Sequence, residues 1–268
     1  MSPLELSGYE NEPEETFTPL PADLYCTFFD LEMSVQSYDC RYYEKILAQS
    51  GCRNLLELGC GTGRIIGHLA DKGYRTVGID NSLAMLSHQR DRHVSPVALM
   101  DMRQLGFQKH TFDSVIIAHN TLNLLGETKA IRRCLSEVCD ILTRDGLLLL
   151  QIFAVTEKLQ EMADKRLFQF ELFDTFNNGK LVKETIKLYQ PDSNNLVLEE
   201  RYKLRSFDNP AANRNYRQFF SLAAFPPRHW FKLIYDSGFS VCSTHADYTG
   251  DPFLSGNDST LLVIARPR

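Results

Sequence analysis

With 268 residues, 43% of them hydrophobic, the chain is long enough to bury a full core and suits one large domain or one domain with an insertion. Lys and Arg number 29 against 34 Asp and Glu, a formal net charge of −5, which weighs against nucleic acid as the main partner because phosphate binding needs a basic face. No apolar run reaches membrane-spanning length, no basic-then-apolar signal opens the chain, and the seven cysteines form no C-x-x-C pair or zinc spacing; they read as reduced thiols of a cytoplasmic protein.

Residues 1–16, with five glutamates and two prolines, read as a mobile tail. Residues 21–50 read as two helices, from Leu24, Phe28, Leu31 and Val35 and then Tyr43, Ile46 and Leu47 at helical spacing. Strands near 54–58, 75–79, 96–100, 113–118 and 146–152 then alternate with helices near 63–72, 82–91 and 127–142, the pattern of a parallel sheet covered on both faces. Residues 166–222 change to period-two stretches such as Leu181 to Tyr189, broken by turn signals at Asn177-Asn178-Gly179 and Pro191 to Asn195. They predict three or four antiparallel strands. Pro226-Pro227 opens a helix near 227–237 that stops at Gly238, and strands near 240–246 and 260–266 complete the main sheet. The expected fold is α/β, a Rossmann-like, doubly wound, mostly parallel seven-stranded sheet. Residues 17–152 and 223–268 form the cofactor-binding domain with its lid helices, and 153–222 an inserted antiparallel sheet on the substrate side.

The stretch Leu55-Leu56-Glu57-Leu58-Gly59-Cys60-Gly61-Thr62-Gly63-Arg64 reads as a buried strand, a glycine-rich turn and a helix start. Alternating glycines let the backbone turn sharply and a ligand lie against bare main chain, facing first-turn N–H groups. A dinucleotide fingerprint would need G-x-G-x-x-G, but the third glycine comes one position early and Arg64 stands in its place. Glu57 would also repel a pyrophosphate, and suits a ligand with an ammonium group. At these residues the chain resembles the class I S-adenosylmethionine-dependent methyltransferases, whose first motif E/D-x-G-x-G-x-G stands here as Glu57 to Gly63. The resemblance runs from about Leu55 to the C-terminus.

Further landmarks follow in the family's order. The strand Arg75 to Ile79 ends in Asp80-Asn81, with Ser82 as helix N-cap. A carboxylate there accepts both ribose hydroxyls; the plainer reading is a helix cap. After Val97 to Met100, the resemblance assigns Asp101 to the adenine amino group and the Met102 backbone to the ring; the plainer reading is a surface turn. Phe112 to Ala118 delivers His119 and Asn120 to the same sheet edge. His119 is the candidate general base, or else a packed side chain whose backbone touches the cofactor. Cys60 is a small residue that fits the turn, or a redox switch. The expected cofactor-binding set is Arg41, Glu57, Gly59, Cys60, Gly61, Asp80, Asn81, Asp101, Met102 and His119. The lid aromatics Tyr25, Phe29, Tyr38 and Tyr42 either face a cation or simply pack. Tyr25, Phe29, Asn123 and Arg217 are the expected substrate-side residues, with Phe219 and His229 as further candidates.

The inserted sheet makes the layout similar to that of aminosugar N-methyltransferases. The expected activity is therefore methyl transfer from S-adenosylmethionine to a small-molecule N or O nucleophile, yielding S-adenosylhomocysteine. No metal is expected, because His119-Asn120 stands where metal-dependent relatives carry an Asp pair. The expected partner is the small molecule, with no nucleic acid and no membrane, and the chain is expected to be a monomer or homodimer. Three other classes compete: a non-catalytic binder or scaffold, a nucleic-acid methyltransferase, and a nicotinamide oxidoreductase. His119-Asn120-Thr121-Leu122 lacks the N/D-P-P-Y/F run of base-modifying enzymes, and Glu57 and Arg64 weigh against nicotinamide.

Overall fold

The computed structural model describes residues 15–34, 38–89, 95–175 and 178–268. Most of the expected tail, Val35, the last residues of the 82–91 helix and Asn177 lie outside these. The described chain runs β1 (Thr18–Pro19), α1 (Ala22–Ser34), α2 (Tyr38–Ser50), β2 (Asn54–Leu58), α3 (Arg64–Asp71), β3 (Arg75–Asp80), α4 (Leu83–Gln89), β4 (Val97–Leu99) and β5 (Phe112–Ile117). It continues as α5 (Thr128–Ile141), β6 (Leu142–Phe153), α6 (Glu157–Glu161), β7 (Arg166–Thr175), β8 (Gly179–Gln190), β9 (Asn195–Ser206), β10 (Arg214–Ala223), α7 (Pro227–Asp236), β11 (Phe239–His245) and β12 (Thr260–Pro267). Among the described residues no helix is long and apolar enough to cross a membrane.

The α/β fold class holds. Seven strands lie in the order β11-β12-β6-β5-β2-β3-β4, and only β12 runs against the rest. Strands buried on both faces need continuous apolar runs, and Leu147 to Leu150 supplies one. Its side chains alternate between two cores. Leu148 and Leu150 join Ile131, Leu135 and Val138 of α5 and Trp230 of α7 on one face, while Leu147 and Leu149 join Tyr43 and Leu47 of α2 and Leu69 of α3 on the other. Two helical layers thus close over one sheet.

A second sheet has the order β1-β10-β9-β8-β7, antiparallel except for β1 beside β10. Periodicity predicts β7 to β10 but cannot find β1, which is two residues long, or the five-residue α6.

Asn123 is expected on the substrate side, and the structure corrects that. It sits in a 3-10 turn after β5 with no exposed surface. Its Nδ2 donates to the carbonyls of Phe153 (3.0 Å) and Ala223 (2.7 Å), and its Oδ1 accepts from Phe153 N–H (3.1 Å). Phe153 ends β6 and Ala223 ends β10, so one buried amide clips together the two points where the second sheet leaves and rejoins the main one. Trp230 Nε1 donates to the same Phe153 carbonyl at 3.1 Å. Asn123→Ala strands buried main-chain groups and is expected to cost about 2–4 kcal/mol of unfolding free energy. Urea titration reads this directly, and a loss below about 0.5 kcal/mol would show that the clip carries nothing.

Candidate active site

Chain direction reverses between β2 and β5: from β2 the chain steps outward through β3 and β4, then returns to lay β5 on the other side. Ligand crevices in open α/β sheets form outside the carboxyl ends of strands at such a point. A cavity of about 490 Å³ opens there. That is within the roughly 300–1,000 Å³ typical of small-molecule sites. Successive strand ends line it: Glu57, Gly59, Cys60 and Gly61 at the end of β2, Asp80 and Asn81 at that of β3, Asp101 and Met102 beyond β4, and His119 beyond β5. Every expected cofactor-side residue except Arg41 is among them.

Gly59 has φ +70°, and a Cβ on it would sit 2.3 Å from Thr121 Cγ2. Only glycine lets the β2 turn approach the β5 turn this closely. The N–H groups of Gly59 and Cys60 both donate to the Ile79 carbonyl, at 2.8 and 2.9 Å. Asp80 completes the tie: Oδ2 accepts from Gly61 N–H (2.9 Å) and Oδ1 from Ser82 N–H (2.8 Å). Ser82 caps α4 through Met85 N–H. Asp101 is gripped by Arg103, whose Nη2 lies 2.6 Å from Oδ2, and this pairing lowers its pKa. Glu57 is 3% exposed and its Oε2 has no hydrogen-bond partner among the described residues. Burial pushes its carboxyl well above the usual range, against the pull of the Arg64 charge and the Ile66 N–H.

Arg41 is exposed on α2 and does not line the cavity; Arg103 and Arg64 do, the latter the first residue of α3. Its guanidinium grips Asp39 of α2 with both ends, Nη1 to Oδ1 at 2.7 Å and Nη2 to Oδ2. His119 Nε2 lies 2.9 Å from Asp39 Oδ2 and 2.7 Å from Arg64 Nη2. The protein therefore engages Nε2, and Nδ1 is the ring nitrogen left for a ligand. His119 and Asn120 both adopt left-handed φ, +50° and +58°. Such backbone costs of order 1 kcal/mol or more in a non-glycine residue and persists only when surroundings fix it. Here Gln151 does so, accepting His119 N–H at 2.8 Å while Tyr248 donates to the same oxygen. Sequence reasoning misses Asp39, Arg64 in this role, Gln151 and Tyr248. Arg64 carries a signal, a long cation directly after the glycine turn, but Asp39 resembles an ordinary acid in a first helical turn.

The lid aromatics divide. Tyr25 and Phe29 of α1 line the cavity with Phe220 of β10, their ring centroids 6.2 Å (Tyr25–Phe29) and 6.0 Å (Tyr25–Phe220) apart. Tyr38 is exposed, and Tyr42 packs behind, bonded to His245 Nδ1 at 2.7 Å. Arg217 and Phe219 are corrected: both are exposed on the outer face of the second sheet, Arg217 over the Phe219 ring. Strand alternation gives the cavity to Phe220 instead. His229 is stacked on Phe225 at 4.2 Å and does not line the cavity. Asp30 of α1 holds this roof down, accepting from Thr62 Oγ1 at 2.6 Å and lying 3.0 Å from His88 Nε2.

Residues 56–150 match the family described as methyltransferase domain. "Putative methyltransferase YqeM" of Bacillus subtilis (strain 168) is 32% identical over 134 residues, 48% of this chain and 53% of that protein, so the chain spans about half the length of this curated relative. A solved S-adenosylmethionine-dependent methyltransferase from Clostridium acetobutylicum superposes with a TM-score of 0.74 at 13% identity, covering 91% of this chain and 97% of that one. The sugar N-methyltransferase KedS8 from Streptoalloteichus sp. superposes with a TM-score of 0.74 at 16% identity, covering 96% and 98%. Residues 56–150 thus match a methyltransferase domain, and the chain shares the fold of solved S-adenosylmethionine-dependent methyltransferases.

Burial alone would raise the Asp39 pKa, but the bonds from Arg64 and His119 outweigh it and hold the carboxyl well below its usual range. Its stabilisation is therefore complete above the unfolded value of about 3.9 and fades as pH falls from there toward the folded value. Asp39→Asn is expected to lower the unfolding free energy by about 2–3 kcal/mol at pH 7, the gap to wild type narrowing below about pH 4. Urea titrations at neutral and acid pH that keep the gap constant would refute an ionised Asp39 as its source.

Proposed function

We propose that the protein transfers the methyl group of S-adenosylmethionine to a nucleophilic nitrogen or oxygen of a small molecule, leaving S-adenosylhomocysteine. The observation that carries this reading is the Glu57 carboxyl Oε2, buried at the cavity wall without a hydrogen-bond partner among the described residues. An ammonium seated there would supply a donor and, by its charge, draw the carboxyl to its ionised form. The adjoining groups fit the rest of the cofactor. Gly61 leaves open space on the cavity side, where an added Cβ would meet only the Phe29 ring edge at 3.9 Å. Asp80 would accept from the ribose hydroxyls, and Asp101 and Met102 would stand beside the adenine.

When bound, the cofactor supplies a methyl group already electrophilic on its sulfonium. The chain's own residues have then to align a nucleophile, exclude water and take a proton where one is released. Tyr25, Phe29 and Phe220 form the apolar wall that excludes water and whose ring faces attract cationic groups. Alignment of this kind lowers a barrier by up to about 7–11 kcal/mol. His119 is the proton acceptor in the tautomer that donates Nε2–H to Asp39 and leaves Nδ1 unprotonated, the neighbouring Arg64 guanidinium then donating to Asp39 and not to the ring. The sugar N-methyltransferase likeness of the whole chain supports a small-molecule acceptor.

Calorimetry is expected to give micromolar binding of S-adenosylmethionine and no heat with NAD. Asp80→Ala should lose about 30-fold or more in affinity, the worth of charge-assisted hydrogen bonds. Full affinity in that variant means the ribose assignment is wrong. With labelled cofactor and metabolite extracts, methyl transfer to a small molecule is expected; none across a broad set of extracts would favour a non-catalytic binder. His119→Ala should lower turnover by about 10²–10⁴-fold and remove the acid limb of the pH–rate profile. An unchanged profile would eliminate His119 as the base.

A further inference from the structure

β7 ends the second sheet, and among the described residues its one strand partner is β8. It is ten residues long, without proline or bulge. Edge strands of soluble proteins are normally guarded by proline, lysine, bulges or short length, because their free main-chain groups pair with other chains. This one carries an apolar stripe instead. Phe168, Phe170 and Leu172 are 60%, 65% and 62% exposed on its outward face, while Phe173 on the other face packs with Phe28 and Leu181. Apolar residues on both faces of an edge strand mark a surface that expects cover.

The outward face reads Arg166, Phe168, Phe170, Leu172, Asp174, and this order is self-complementary. Laid antiparallel against a second copy about Phe170, Arg166 stands opposite the partner's Asp174 and Phe168 opposite the partner's Leu172. Phe170 meets its own counterpart. Directly opposed residues share a face of the sheet, so the stripe stays continuous and each end closes with opposite charges. A shift of one residue would set outward against inward side chains, and a shift of two would set a charge against an apolar group. Arg166 has no ionic partner among the described residues. Asp174 touches Lys180, and its side chain is 84% exposed with room for a second cation.

We propose that the chain forms a two-fold homodimer through β7, joining two five-stranded sheets edge to edge about Phe170. The occupant is a second copy because the charge pattern complements itself, as a two-fold interface requires. This surface lies on the sheet margin and uses none of the residues that line the cavity.

Light scattering on the full chain at about 20 µM tests it, a concentration well above the dissociation constant of a stable dimer. Wild type is expected at twice the chain mass, and Phe170→Glu at the single mass with an unchanged circular-dichroism spectrum. Arg166→Asp alone and Asp174→Arg alone each oppose like charges twice and should weaken association at least about tenfold. The double variant Arg166→Asp/Asp174→Arg restores both pairs and should recover wild-type association. A monomeric wild type, a dimeric Phe170→Glu, or a double variant no tighter than its single parents would overturn the proposal.

Discussion

The clasp between Arg64 and Asp39 is the interaction on which the rest of the site depends. Asp39 is 2% exposed, and a carboxylate so deep stays charged only with a guanidinium on it. Buried ion pairs of this kind add little net stability, because desolvation offsets their attraction. Their effect is on placement. Arg64 opens α3 directly after the glycine turn, and Asp39 lies in the first turn of α2. The same carboxylate reaches His119 at the end of β5. One pair of charges therefore registers a lid helix, the cofactor turn and the candidate base against each other. Apolar packing between α2 and α3 could tolerate a slide; a two-ended guanidinium–carboxylate contact does not.

Sterics set the other limit. The β2 turn is pressed between two neighbours. Gly59 meets Thr121 on one side, and a Cβ on Gly78 of β3 would lie 2.7 Å from Cys60 Sγ on the other. Cys60 thus occupies the space that a side chain at Gly78 would need. Burial, first, and the nearby Glu57 and Asp80 raise its thiol pKa well above the usual range. A thiol held protonated is a poor nucleophile, which favours the packing reading of Cys60.

Sequence periodicity reaches whatever repeats over several residues. The parallel strands, the helices between them and the four long strands of the second sheet are legible that way, as is the run of acids and glycines at successive strand ends. Single contacts between distant segments are not. Asp39, eighteen residues before Glu57, has nothing in its neighbourhood to announce Arg64. Arg41 has the better local claim, being a cation in the lid, yet the turn of α2 points it to solvent. Arg217 fails for a simpler reason: on a strand the parity of a residue decides its face, and sequence does not say which parity faces in, so Phe220 takes the place instead. Asn123 reads as a polar residue near the crevice, and only the return of β10 to the end of β6 reveals what its amide binds.

Helix α1 is where the cofactor half and the second sheet meet. Asp30 and Glu32 are two residues apart, so they leave the helix on opposite sides. Asp30 reaches the cofactor half through Thr62 and His88. Glu32 reaches the second sheet through Lys183 Nζ at 2.6 Å, and Lys183 also binds Glu200 at 2.9 Å. Burial raises the Glu32 carboxyl against the pull of Lys183; Lys183, which burial alone would discharge, is kept protonated by the two glutamates. This side is deep, about a tenth exposed, and is backed by Phe28 stacked on Tyr202 at 5.2 Å. The Asp30–His88 contact is more open, 17% and 25% exposed, and water competes for it. Both attachments converge on α1, so Tyr25 and Phe29 are held at the cavity wall by the cofactor half through Asp30 and by the second sheet through Glu32.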